Sequence, residues 1–231
     1  VAVLQKQDIV VSQGNSGTGI DLARSEPAGI EALVAKLIKD NCHRCNPKLI
    51  RLWAYHSGEA VTWVIDRAKQ GGAQVIDQGN LQQAAILNVN GYAMSYITSF
   101  FGPKPYTAGD GMRALARTAA RAGVDFFFST PAVQLIQDAS GHVTGVIGKR
   151  EDGAYMRFMA NKGVILATGD YQNNREMCDY FIPDARHFGR KQMNRTGDGF
   201  IMGYWAGGVI EPIGHTKMLH DFDAGPASMC D

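Results

Sequence analysis

Three glycine-rich polar stretches carry the residue types that could hold a ligand. The first is Ser12-Gln13-Gly14-Asn15-Ser16-Gly17-Thr18-Gly19-Ile20-Asp21. Gly14, Gly17 and Gly19 allow backbone conformations and close approaches that a Cβ would block, and Asn15, Ser16 and Thr18 set polar groups between them. A plain flexible loop is the other reading of that composition. The second is Val164-Ile165-Leu166-Ala167-Thr168-Gly169-Asp170-Tyr171, an apolar run of strand formers that stops at small residues. It predicts a strand buried on both faces, with a ligand able to approach the backbone where the strand ends. The third is Thr196-Gly197-Asp198-Gly199, ahead of an apolar helix over 200–206. There Asp198 is either a ligand contact or an N-cap.

Other chemistry-bearing residues give weaker patterns. Cys42-His43-Arg44-Cys45 is a lone C-x-x-C after a helical pattern, without the second pair or histidines a zinc site needs. His215 and His220 stand near Asp221 and Asp223, at a spacing that matches no zinc motif. His56 is a single histidine on a helix, and Arg113, Arg117 and Arg121 form a stripe at four-residue spacing, read as a solvated face.

The elements that must position these groups alternate. Val1-Ala2-Val3-Leu4-Gln5-Lys6 reads as a strand. Ser25-Glu26-Pro27 starts a helix with Ile30, Leu33, Val34, Leu37 and Ile38 on one face. Asn46-Pro47 starts a second, with Leu49, Leu52, Trp53, His56, Ala60, Trp63, Val64 and Arg67 running to Gly71-Gly72. Trp53 and Trp63 are expected in the core. A short strand over 73–77 follows, and 78–99 shows little periodicity. A third helix opens near Thr107 or Asp110 and ends at Gly123. A strand near 124–128 follows, and runs over 143–148 and 155–159 flank the turn Glu151-Asp152-Gly153, a hairpin signal.

The 231 residues are 45% apolar and 19% charged, enough for a core in one large domain or two small ones. A net charge of +1 without a basic run leaves no electrostatic footprint for nucleic acid. No apolar stretch approaches the roughly 20 residues of a membrane span.

Taken together, V-I-L-A-T-G-D-Y preceded by the strand meander, T-G-D-G after it, and the N-terminal pieces resemble the FAD-binding domain of the fumarate reductase/succinate dehydrogenase flavoprotein family. That family includes soluble fumarate reductases, urocanate reductases and 3-ketosteroid dehydrogenases. Asp170 stands where the related segments have a second Gly, and Gln13 also replaces a Gly. The resemblance implies an α/β fold: a Rossmann-like FAD-binding sheet with a β-meander and an inserted helical segment. It divides the chain into 1–23 plus 124–210 for FAD, a mainly helical insertion over 24–123, and the start of a substrate or capping domain over 211–231. A mixed sheet is expected, with 1–4 beside 164–167 and 124–128.

The resemblance also implies roles. Gln5 takes the place of a Glu that binds the adenosine ribose, with Lys6 beside it. Gly14, Asn15, Ser16, Gly17, Thr18 and Gly19 match a loop that wraps the pyrophosphate and the flavin. The backbone of Val133, in Thr130-Pro131-Ala132-Val133, matches an adenine contact. Ala167, Thr168, Gly169, Asp170, Thr196, Gly197 and Asp198 complete the expected cofactor set, converging on one groove. His220, with His215 as the other candidate, matches a histidine that binds a substrate carboxylate. The implied activity is FAD-dependent hydride transfer between flavin N5 and the activated C=C bond of a small carboxylate or enone. An electron-donor protein or domain is the implied partner. The chain resembles the middle of a larger flavoprotein, so it is expected to lack useful reductase activity alone. The alternative is a non-catalytic partial flavoprotein that binds FAD weakly or not at all.

Overall fold

The structure is a computed structural model that describes residues 1–6, 16–77, 87–89, 91–101, 108–185 and 195–211. Among them the strands are β1 (Ala2–Leu4), β2 (Ser16–Ile20), β3 (Val75–Asp77), β4 (Leu87–Val89), β5 (Tyr92–Met94), β6 (Tyr96–Phe101), β7 (Asp125–Phe127), β8 (Ala132–Gln137), β9 (Val143–Lys149) and β10 (Tyr155–Met159). The helices are α1 (Pro27–Asp40), α2 (Pro47–Gln70), α3 (Ala108–Arg121), α4 (Arg175–Phe181) and α5 (Asp198–Trp205). Contacts divide the chain into two units, Val1 with Ile9–Asp125, and Ala2–Asp8 with Phe126–Asp231.

In the first unit, α1 and α2 begin where proline fixes the first turn. Asn46 caps α2 by accepting the Lys48 amide at 3.0 Å. Ile30 and Val34 of α1 join Ile20, Ala54 and Met94 in the core. The stretch read as a glycine loop is instead a strand from Ser16 onward, paired antiparallel with β6, which also pairs with β3. The hydrogen-bond ladder uses the backbone that a loop reading leaves free. The weakly periodic region holds the antiparallel pair β4–β5 and the start of β6. Strands this short show too few alternations to register as a pattern.

One expectation about a helix face is corrected. The inward face of α2 carries Ala54, Ser57, Gly58, Ile65 and Ala68, while Leu49, Leu52, Trp53 and Trp63 are exposed, Trp63 at 58%. The reason is close packing. A Cβ on Gly19 would lie 2.3 Å from the Ser57 carbonyl oxygen, and one on Gly58 would lie 2.2 Å from that of Ile20. Only small residues fit where β2 crosses α2, so the large ones turn outward. The arginine stripe of α3 is exposed, as read from the sequence, and it also makes hydrogen bonds. Arg117 donates to the Gly71 carbonyl at 2.8 Å and Arg121 to that of Gln70 at 2.9 Å, covering the C-terminal end of α2.

In the second unit, β8, β9 and β10 form an antiparallel sheet in sequence order. The predicted hairpin is β9–β10, closed by Gly153 at φ 84° donating to the Arg150 carbonyl. β1 pairs with β7, and the flanking bonds Asp125 N–H to Val1 O and Gln5 N–H to Phe127 O advance together, the pattern of a parallel pair. The expected single mixed sheet is not present among the described residues, which hold four small sheets. The run over 164–167 forms no ladder, and Ile165 is 92% exposed. Its composition reports strand propensity, but a strand also needs a neighbour to accept its bonds. Here it lies under α5: Thr168 sits against Gly199, and Leu166 lies within 3.8 Å of a Cβ built on Gly203.

Candidate functional site

The polar centre of the second unit lies just beyond β1 and at the start of α5. The Lys6 ammonium donates to the Thr196 hydroxyl at 2.8 Å and to one Asp198 oxygen at 3.0 Å. Thr196 donates in turn to the other Asp198 oxygen at 2.9 Å. Lys6 and Asp198 are each 38% exposed, so the triangle is shielded but reachable. Gly197, at φ 75°, is the N-cap of α5, and Asp198 is its first helical residue. Asp198 is therefore not the cap; its carboxylate lies beside the positive end of the helix.

The 168–174 segment braces this centre from behind. Gly169, at φ 75°, is pressed by Arg195, whose Nη1 lies 2.0 Å from where a Cβ would sit. The Gly197 amide donates to the Asp170 carbonyl at 3.2 Å, and the Asp170 carboxylate accepts the Gln172 amide at 3.0 Å. Asn174 caps α4 through the Met177 amide and donates to the Thr196 carbonyl at 3.1 Å. Tyr171 is buried, edge-on to Phe200. Burial pushes its hydroxyl up to about 12, with smaller contributions from Cys178 and Asp170.

Gln5 and Val133 are held by backbone geometry. Gln5 donates its amide to Phe127 and accepts that of Thr130, each at 2.8 Å. The β8–β9 register passes from Ala132–Gly148 to Gln134–Ile147, so Val133 is the extra residue of a bulge. Bulges interrupt a ladder and recur beside ligand sites.

The second unit thus brings together Lys6, Thr168, Gly169, Asp170, Thr196, Gly197 and Asp198. Ser16, Gly17, Thr18 and Gly19 belong to the first unit, where the space beside Gly19 is taken by α2. Gly14, Asn15, His215 and His220, with Asp221 and Asp223, lie outside the described residues. Among the described residues no group of His, Cys, Asp and Glu could hold a metal ion. Sequence reasoning missed Arg195 and Tyr171. Arg195 adjoins T-G-D-G, but its contact is with a glycine 26 positions earlier, which no spacing rule reveals. An apolar hollow of about 430 Å³ beside α5, lined by Phe200, Gly203, Tyr204, Val209 and Ile210 among others, contains none of the expected cofactor residues.

Residues 1–217 match the FAD binding domain family. The chain belongs to this family of fumarate reductase-like flavoproteins, and FAD is its cofactor. It is 32% identical over 114 residues to a 3-oxosteroid 1-dehydrogenase of Comamonas testosteroni, covering 42% of this chain and 20% of that protein. It is 24% identical over 205 residues to a probable fumarate reductase of Shewanella frigidimarina, covering 85% of this chain and 31% of that one. The chain therefore spans less than a third of the length of these curated relatives. A 3-ketosteroid-delta4-(5alpha)-dehydrogenase from Rhodococcus jostii superposes with a TM-score of 0.63 at 18% identity, over 89% of this chain and 48% of that one. The open conformation of a flavocytochrome c3 fumarate reductase superposes with 0.61 at 20% identity, over 88% and 35%. These likenesses show a shared α/β flavoenzyme fold. No helix among the described residues is long and apolar enough to cross a membrane.

The residues present fit the cofactor chemically. FAD offers ribose hydroxyls, an anionic pyrophosphate and two ring systems with hydrogen-bonding edges. The second unit answers with a half-exposed ammonium, a carboxylate and hydroxyl in one network, a helix N-terminus, and a bulged strand.

Proposed function

We propose that this chain is the FAD-holding part of an oxidoreductase acting on an activated C=C bond of a small carboxylate or enone. The observation that carries this is the Lys6–Thr196–Asp198 network, which joins the end of β1 to the start of α5. When bound, FAD supplies hydride transfer at flavin N5. In this reading Gln5 binds the adenosine ribose, the Val133 backbone meets the adenine, and Thr196 and Asp198 fix the cofactor at the N-terminus of α5. Lys6 neutralises Asp198, so the carboxylate does not repel the pyrophosphate. The resemblance also assigns Gly14, Asn15, Ser16, Gly17 and Thr18 to the cofactor. Ala167 to Asp170 support it from below. His220 or His215 binds and polarises a substrate carboxylate or carbonyl. Residues 1–23 and 124–210 form the FAD-binding domain, 24–123 a mainly helical insertion, and 211–231 the start of a substrate domain. Electrons arrive from a donor protein or domain.

The exposed run over 164–167 favours a second reading, in which the 231-residue chain alone binds FAD weakly and turns nothing over. Purified chain titrated with FAD and followed by flavin fluorescence separates the readings. Saturable binding that is weakened by K6M supports the first. Binding of ATP or NAD with no binding of FAD overturns both.

A further inference from the structure

The exposed side of α2 is an unusual surface. Leu49, Leu52, Trp53, His56, Ala60 and Trp63 recur at spacings of three, one, three, four and three, which places them on one stripe. Leu49 is 60% exposed, Leu52 57%, Trp53 39% and Trp63 58%, so the stripe is open along about 21 Å of helix. The helix cannot roll to bury it. Its opposite side is locked against β2 at Gly19 and Gly58, and Glu31 of α1 accepts from both Arg51 and Tyr55 beside the stripe. Contiguous apolar surface of this kind marks an interaction site.

Charge indicates the occupant. Lys48 and Asp66 are both exposed and lie 18 residues apart, five whole turns, on the same flank of the stripe. Glu59 shares that flank. The flank is thus basic at the start of α2 and acidic toward its end. Two such helices laid antiparallel bring like flank against like flank with the charges reversed. A two-fold axis at His56 sets Leu49 against Trp63 and Leu52 against Ala60 of the other copy. Lys48 then lies about 3 Å along the axis from the opposite Asp66, within lysine's reach. A parallel pair would carry the two Lys48 flanks to opposite sides of the seam and leave Lys48 about 27 Å along the axis from Asp66. We infer that α2 is the self-association surface of this chain, pairing antiparallel with α2 of a second copy around His56.

Sedimentation velocity on the full 231-residue chain, over a range from about 1 to 100 μM, tests this across the affinities expected of a small interface. Wild-type chain shows a concentration-dependent dimer. W63E weakens it at least tenfold. K48E and D66K each weaken it, and the K48E/D66K double variant, in which opposite charges face again, recovers most of the loss. Circular dichroism checks that each variant stays helical. If W63E does not fold, L52E serves in its place, and the charge swap is independent of both. A wild-type monomer throughout overturns the proposal, as does a dimer indifferent to W63E and L52E. Failure of the double variant to recover overturns the antiparallel pairing. A longer protein of the relatives' length that is monomeric, with Trp63 shielded from a fluorescence quencher, also overturns it, because the stripe then serves contacts within one chain.

Discussion

Lys6 and Asp198 form a half-exposed ion pair, and such pairs contribute little to stability, about 1 kcal/mol or less. The acidic residue gains a further few tenths from the helix terminus. Replacing Lys6 by Met should therefore lower the melting temperature only slightly. In the proposed site the same change leaves an unneutralised carboxylate near the pyrophosphate, and FAD affinity should fall about tenfold, equivalent to about 1.4 kcal/mol. Fluorescence titration beside thermal unfolding reads both, and equal FAD affinity of wild type and K6M would remove Lys6 from the site. Tyr171 gives a pH-dependent expectation. Its hydroxyl is raised from 10.0 to about 12, so the folded chain holds that proton more tightly than the unfolded chain. The resulting stabilisation is complete below pH 10 and is lost as pH rises toward 12. Tyrosinate absorbance in an alkaline titration should show a late component that shrinks in Y171F, beside the also raised Tyr55 and Tyr96. At this scale the family resemblance, rather than type and spacing, pointed to T-G-D-G and Gln5-Lys6, and the structure brings Lys6 against Thr196 and Asp198. The Arg195–Gly169 contact was not legible, because it depends on chain paths that meet only in three dimensions.

At the scale of elements, capping and close approach decide the arrangement. Asn46→Ala removes the side-chain cap of α2 and should cost about 1 kcal/mol in urea unfolding. Gly19→Ala should cost more, about 1–3 kcal/mol, because its Cβ meets backbone of α2 that cannot step aside. A midpoint unchanged by G19A would show that β2 and α2 are less tightly joined than their geometry indicates. The three long helices were legible from proline starts in α1 and α2, glycine ends in α2 and α3, and a 3.6-residue period. Which face of α2 turns inward was not. Hydrophobic periodicity picked the side with two tryptophans, whereas the strand crossing at Gly19 admits only Ala54, Ser57 and Gly58. The β9–β10 hairpin announced itself through Glu151-Asp152-Gly153. Strands of three residues, β4 and β5, left no comparable mark.

For the molecule as a whole, the open run over 164–167 should govern handling in solution. Ile165, almost fully exposed among strand formers, is a template for unwanted pairing. Ile165→Thr should raise the soluble yield while moving stability by no more than about 0.5 kcal/mol. Light scattering on heating reads the first and the unfolding midpoint the second; an unchanged aggregation rate would clear this run of responsibility. The second unit is built from two distant pieces of chain, Ala2–Asp8 and the part after Phe126. This has a consequence for synthesis. β1 leaves the ribosome ahead of the first unit, its partner β7 is made only after that unit, and Lys6 waits 192 residues for Asp198. The first unit, nearly continuous in sequence, can assemble during that interval. The network joining β1 to α5 is therefore among the last contacts to close, so nascent chains pass through a stage that is folded in one unit and incompetent in the other.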